Sequence, residues 1–360
     1  MPRPIRAAID VAAFRHNYLR AKAAAPGARA WAVIKANAYG HGLLRCARAV
    51  ETVADGYAML DFAEAATLRE AGIRQPILML EGAFDPADVR LAGTLGLGLT
   101  VHDAEQIRLL ELEVLAQPLD VFLKLNTGMN RLGFAPERAG ELAARLKSIS
   151  NVASVTLMTH FARADDEVGI ADQLARFDAA ASGLGLPQSV ANSAALLRFP
   201  QAARDWVRPG IMLYGGSPMP GLASADALGL QPAMNLESRL IAVQTLAPGE
   251  AIGYGGRFVA ERPTRVGIVA CGYADGYPRH APSGTPILVA GQRTGTLGRV
   301  SMDMLACDLS ALPDAGVGSQ VVLWGRGLPA DEVATAADTI SYELFCALAN
   351  RVPVTVVGAD

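Results

Sequence analysis

Apolar residues follow two alternating rhythms over the first two thirds of the chain. Short, nearly unbroken apolar runs recur at Ala30–Ile34, Gly56–Leu60, Pro76–Leu80, Leu97–Val101, Asp120–Leu125, Ala153–Met158, Gln188–Ala191 and Ile211–Tyr214. Runs of this length bounded by turn residues read as buried strands. Between them lie longer stretches with a 3.6-residue apolar period, among them Ala63–Ala71, Ala104–Leu115, Pro136–Ser148 and Ile170–Leu184. Asp61 and Asp103 stand where helix N-caps belong, and Pro136 stands near a first helical turn. Eight strand–helix alternations in about 200 residues predict a (β/α)8 TIM-type barrel, with a doubly wound open sheet as the alternative.

After Gln231 the helical rhythm fades. Ser238–Gln244, Arg265–Ala270, Pro286–Val289, Met304–Asp308 and Gln320–Trp324 are strand-like and separated by Gly/Pro turns. The expected architecture is therefore α/β: a barrel over residues 11–228, then a mostly β C-terminal domain over 229–360. Ser217–Gly221 and the segment to Pro232 form the junction. Helical segments near Ala330–Ala337 and Ser341–Ala349 close the chain.

Composition narrows the function classes. With 360 residues, 51% hydrophobic and 19% charged, the chain suits one large domain plus a smaller one. Net charge is −3 and no Lys/Arg-rich block occurs, so neither nucleic acid nor an anionic membrane is an expected partner. Cys46, Cys271, Cys307 and Cys346 form no C-x-x-C pair, which argues against a metal site or a disulfide framework. The N-terminus lacks an apolar leader, and no run is long enough to span a bilayer. A soluble, cytoplasmic protein is expected.

Candidate chemistry gathers at the ends of the predicted strands. Trp31-Ala-Val-Ile-Lys35-Ala-Asn-Ala-Tyr39-Gly-His-Gly42 runs from an apolar strand into a glycine-flanked turn. If that turn is helical, Lys35 and Tyr39 share a face. Lysine occurs only at Lys22, Lys35, Lys124 and Lys147. Lys22 and Lys147 lie in helical stretches and are expected to be solvated. A lysine leaving a dry strand end has a lowered pKa, which frees its amine for a Schiff base or proton transfer. Lys124 and Arg131 fall near the end of the fifth strand, and His160 ends the sixth. Asn192 and Ser193 end the seventh, and Arg208 opens the eighth. Ser193 with the amides of Gly210 and Ile211 can cradle a phosphate, as barrels often do after their last two strands. A Schiff-base lysine beside a phosphate cradle suggests pyridoxal 5'-phosphate. Singly, each residue has an ordinary explanation: a snorkelling lysine, a satisfied histidine, a helix-capping serine. It is their sharing of one rim that points to a site.

At these residues the chain resembles bacterial alanine racemases. Val33-Ile-Lys-Ala-Asn-Ala-Tyr-Gly-His-Gly42 is similar to their cofactor-lysine motif. Lys124 to Gly133, Asn192-Ser-Ala-Ala195, Arg208-Pro-Gly-Ile211, Gly253-Tyr-Gly255, Gly272-Tyr-Ala-Asp-Gly-Tyr277, Gly298-Arg-Val-Ser-Met-Asp303 and Tyr342 extend the likeness over both domains. The resemblance implies a homodimer with shared active sites, alanine as substrate, and residues 1–10 as a strand joining the β domain. It implies Lys35 as the cofactor lysine and one base, with Tyr254 of the partner subunit as the opposing base, supported through His160 and Arg208. Tyr39, Asn192, Ser193, Gly210, Ile211 and Tyr342 would hold the cofactor. Arg131 would meet the substrate carboxylate together with Met302 and Asp303 of the partner, and Tyr273 would stand at the entrance. Lys124 resembles a lysine that many members carry as a carbamate. Asn126 departs from the aspartate often found there. The resemblance leaves open whether D-alanine is made as a peptidoglycan precursor or catabolised. A broader amino-acid racemase, a decarboxylase on the same architecture and a cofactor-carrying barrel are the alternatives. A carrier needs neither Tyr254 nor the second domain.

Overall fold

The computed structural model describes residues 3–358. The first strand, β1 (Arg6–Asp10), precedes the barrel in sequence but does not join it. Eight parallel strands then close on one another: β2 (Arg29–Val33), β3 (Gly56–Met59), β4 (Ile77–Met79), β5 (Leu97–Val101), β6 (Leu119–Lys124), β7 (Val152–Met158), β8 (Gln188–Asn192) and β9 (Trp206–Arg208). The pairing Arg29↔Trp206 and Ala30↔Val207 shuts the ring. Trp31 fills it, stacked on Trp206 at 3.9 Å between ring centroids and edge-on to Phe122. Helices start where the polar pattern places them: Asp61 accepts from the Ala63 amide and Asp103 from that of Glu105. Because every strand runs the same way, the C-terminal ends share one rim.

One expected strand is a different element. Ile211–Tyr214 is a 3-10 turn, and the eighth strand is Trp206–Arg208. Arg208 therefore ends that strand rather than opening it. The apolar run is buried because it plugs the rim beside the helix Val11–Ala24, not because it pairs. Two further expectations change. Lys22 is half-buried, donating to Asp55 at 2.5 Å and to the Ala28 carbonyl, so it is not simply solvated. The Lys35–Tyr39 turn is also not a right-handed helix, as described below.

The remaining strands build a second sheet: β10 (Met234–Leu246), β11 (Ala251–Ile252), β12 (Phe258–Val259), β13 (Thr264–Val269), β14 (Pro286–Val289), β15 (Gln292–Leu297), β16 (Leu305–Asp308), β17 (Gln320–Trp324) and β18 (Val354–Val357). Its order is β13-β16-β15-β14-β17-β10-β1-β18, with β11 and β12 forming a separate ribbon. β10 also pairs with β13, so six strands form a ring. The length of β10 makes this possible. Its first half bonds β17 and β1, its second half bonds β13, and the register shift between Leu240 and Ala242 turns it between them. β15 is a strand that the sequence pattern does not show, because its polar face is exposed and carries little alternation. No helix among the described residues is long and apolar enough to cross a membrane.

Candidate active site

β2 delivers its chain into a left-handed turn. Ala36, Asn37, Ala38 and Tyr39 have φ of 54°, 52°, 52° and 48°. Such a run is costly for residues with a Cβ and persists only where its surroundings over-determine it. Here they do. Ala38 N–H donates to Ile34, Gly40 N–H to Ala36 and Gly42 N–H to Asn37. The Asn37 amide donates to Glu64, its side chain accepts from the Leu43 amide, and buried His41 meets the Tyr39 carbonyl at 2.9 Å. The turn lifts Lys35 off the strand into a cavity of about 760 Å³. Burial, and then the nearby Arg131, lower the pKa of Lys35. Tyr39 lines the same cavity, held by stacking on Tyr214 at 4.5 Å.

Ser193, Gly210 and Ile211 border the same cavity. Ser193 is buried at the start of the helix Ser193–Arg198, and its Oγ accepts from the Gly210 amide at 2.8 Å. A Cβ on Gly210 would stand 3.0 Å from the Tyr39 hydroxyl, filling the space between them. Ile211 and Tyr342 border the same space, with Tyr342 5.9 Å from Tyr39 between ring centroids. Asn192 caps the Ser193 helix through the Ala195 amide.

Lys124, Arg131, His160 and Arg208 complete the wall. Arg208 is buried, and among the described residues it has no carboxylate partner. It donates to the carbonyls of Ser189, Thr159 and Val190 and to the Ser189 hydroxyl. Burial draws its pKa down to about 10, which still leaves it charged at neutral pH. Lys124 is 8% exposed, and burial with the charges of Arg208 and Arg131 lowers it to about 8. His160 is pushed well below its ordinary value, first by burial and then by Arg208, Lys124, Arg131 and Lys35, so it is neutral. Asn126 sits beside this wall and accepts from the amides of Gly128 and Asn130.

Eleven of the residues singled out in the sequence thus share one cavity: Lys35, Tyr39, Lys124, Arg131, His160, Asn192, Ser193, Arg208, Gly210, Ile211 and Tyr342. Four do not. Tyr254 lies in a short 3-10 turn of the β domain, 72% exposed, and Met302 is 53% exposed. Tyr273 and Asp303 are also outside the cavity wall. The sequence reading passes over Glu81, His102, Asp165 and Cys346, which line the cavity too. Glu81 follows β4 by two residues and His102 directly follows β5, the same strand-end position as Lys35. That position is the signal by which they were findable. Cys346 and Asp165 lie on later segments and carry no such mark.

Fold and site together define a two-domain barrel protein whose cavity joins a lysine of lowered pKa, the Ser193–Gly210 hydrogen bond and a buried arginine. Residues 9–218 match the family description "Alanine racemase, N-terminal domain", and residues 233–356 match "Alanine racemase, C-terminal domain". The chain belongs to the alanine racemase family. It is 56% identical over 360 residues to an alanine racemase of Laribacter hongkongensis, covering 100% of both. It is 52% identical to a catabolic alanine racemase of Klebsiella aerogenes, over 99% of this chain and 100% of that one. The biosynthetic alanine racemase of Pseudomonas aeruginosa superposes with a TM-score of 0.96 at 49% identity, covering 98% of this chain and 99% of that one.

Proposed function

We propose that the protein is a pyridoxal 5'-phosphate-dependent alanine racemase, a cytoplasmic homodimer that interconverts L- and D-alanine with two opposed bases. The observation that carries this reading is the convergence of Lys35, Arg208 and the Ser193–Gly210 cradle on one cavity. The residues fit the cofactor. Lys35 has a lowered pKa, the cradle is roomy only because residue 210 is glycine, and the hydroxyls of Tyr39 and Tyr342 border it. Lys35, Tyr39, His160, Asn192, Ser193, Arg208, Gly210, Ile211 and Tyr342 would hold the group. When bound, pyridoxal phosphate supplies the electron sink that makes the alanine Cα proton removable.

The chain's own residues supply the rest. Lys35, whose surroundings loosen its hold on the proton, takes or returns a proton at Cα on one face. Tyr254 of the partner subunit does so on the other. A single chain offers the cavity no such tyrosine, because its own Tyr254 stands exposed on the β domain. That supports a site shared between two subunits. Neutral His160 can accept from the phenol that reaches it, and Arg208 keeps its own proton and so donates only. Arg131 orients the substrate carboxylate, with Met302 and Asp303 of the partner closing that end and Tyr273 of the partner at the entrance. Under this reading residues 1–10 belong with the β domain, 11–228 form the cofactor-binding barrel, and 229–360 form the domain that serves the neighbouring site. Borohydride reduction followed by peptide mapping should tag Lys35, and purified protein should convert L-alanine to D-alanine. A tag on Lys124 instead would refute the assignment.

A further inference from the structure

The turn Gly272–Gly276 and the loop Ser301–Met304 are bound as one unit. The amides of Tyr273 and Ala274 donate to the carbonyls of Ser301 and Met302 at 3.0 and 2.9 Å. The contact is close enough that a Cβ on Gly272 would lie 2.3 Å from the Ser301 oxygen. Within the turn Asp275 is 0% exposed. Its carboxylate accepts from Nη1 and Nη2 of Arg3 at 2.7 and 3.0 Å, from Arg351 Nε at 2.8 Å and from the Gly272 amide at 3.0 Å. The same two arginines reach onward to the loop. Arg3 donates to the Asp303 carbonyl at 2.7 Å, and Arg351 donates to the Asp303 side chain at 2.5 Å.

The carbonyls of Ser301 and Met302 are therefore held by the turn that carries Asp275, and that of Asp303 by Arg3. In a trans peptide the N–H points away from the preceding carbonyl. Fixing these three carbonyls aims the amides of Met302, Asp303 and Met304 outward, away from their own subunit. Burial alone would raise the Asp275 carboxyl. The hydrogen bonds from Arg3, Arg351 and Gly272 outweigh that and hold it below its ordinary value, so the hub keeps its charge.

We propose that Asp275, acting through Arg351 and Arg3, is a positioning residue that sets the Met302–Asp303 loop for the substrate carboxylate in the neighbouring subunit's site. This rests on the reading above, in which that loop serves the carboxylate. Neither Asp275 nor Arg351 touches substrate; they fix the direction of the groups that do.

The test uses dimeric holoenzyme and propionate, which is alanine without its amine, as a competitive probe of the carboxylate site. Arg351 is exposed, so Arg351→Ala leaves the core intact. It should raise the KM for alanine and the inhibition constant of propionate together by about tenfold, the scale of a lost charge-assisted contact, with kcat within about threefold. Arg351→Lys, which keeps the charge but cannot bridge Asp275 and Asp303, should fall between. Asp275→Asn should move both constants the same way. If it fails to fold, the two Arg351 variants still decide. Arg131→Ala serves as the control for the carboxylate site itself. If Arg131→Ala weakens propionate but Arg351→Ala does not, the cluster only supports the fold and the proposal is overturned while the site reading stands. If neither weakens propionate, the carboxylate reading fails and takes the proposal with it. A fall in kcat with propionate affinity unchanged also overturns it.

Discussion

Lys124 should form a carbamate with carbon dioxide, with its readiness set by Arg131 and Arg208. The neutral amine attacks the carbon of CO2, a C–N bond forms, and the nitrogen gives a proton to water. Only the neutral amine reacts. With its pKa drawn to about 8, roughly a tenth of Lys124 is neutral at pH 7, against about one part in 2,500 for an ordinary lysine near 10.4, a gain of about 200-fold. The product carries a negative charge among Arg131, Arg208 and Lys35, so the charges that depress the lysine stabilise its carbamate. Protein equilibrated with 13C-bicarbonate at pH 8.5 should show a carbamate carbon resonance that Lys124→Arg abolishes. Arg131→Ala should weaken it, because removing one neighbouring cation raises the lysine's pKa. Absence of the resonance in the unaltered protein, or its survival in Lys124→Arg, would refute the reasoning. The same shift has a stability consequence in CO2-free buffer. The folded pKa lies below the unfolded one, so the unfolded chain holds the proton longer as pH rises. Stability attributable to Lys124 should therefore climb between about pH 8 and about pH 10.5, and Lys124→Met should remove that climb.

Three other outcomes are expected. Tyr254→Phe should slow racemisation on the order of 100- to 10,000-fold, and in deuterated water it should still exchange the Cα proton of D-alanine through Lys35 but not that of L-alanine. Equal exchange from both enantiomers would favour one base over two. Mixing Lys35→Ala with Tyr254→Phe protein should restore activity in verified heterodimers, where one site regains both groups, and no rescue would mean each site is built within one chain. Gly40→Ala should destabilise the protein by more than about 1 kcal/mol and disturb Tyr342, since φ there is 76° and the added Cβ would meet the Phe345 carbonyl at 2.2 Å. Unchanged thermal unfolding would show that this backbone contact can yield.

Much of this was legible in the chain because barrels obey a strong pattern. Short apolar runs, capped helices and a parallel order leave one rim for chemistry, so Lys35, Lys124, His160 and Ser193 could be placed from spacing alone. Legibility failed where tertiary contact overrode local pattern. Ile211–Tyr214 is as apolar as a strand but is buried by packing rather than pairing. The Lys35–Tyr39 turn has ordinary alanines in left-handed backbone, held there by the turn's own Asn37, by His41 just behind it and by Glu64, which reaches it from a later helix. The cluster around Asp275 joins residues 3, 275, 303 and 351, separations that no periodicity can report.

The cations of the cavity act in two ways at once. Lys35, Lys124, Arg131 and Arg208 face one space, in which Glu81 and Asp165 are the acids on the wall. Such crowding is unfavourable for the bare protein, because each cation raises the cost of its neighbours' charge. The two lysines respond by giving up protons more readily, and His160 by remaining neutral. Arg208, although burial draws it down to about 10, still keeps its proton at neutral pH. The result is a cavity whose positive charge favours an anion while its two amines hold their protons less tightly than ordinary lysines. A phosphate and a carboxylate entering that space would relieve the repulsion, so the looser hold of Lys35 on its proton and the attraction for an anion are consequences of one arrangement.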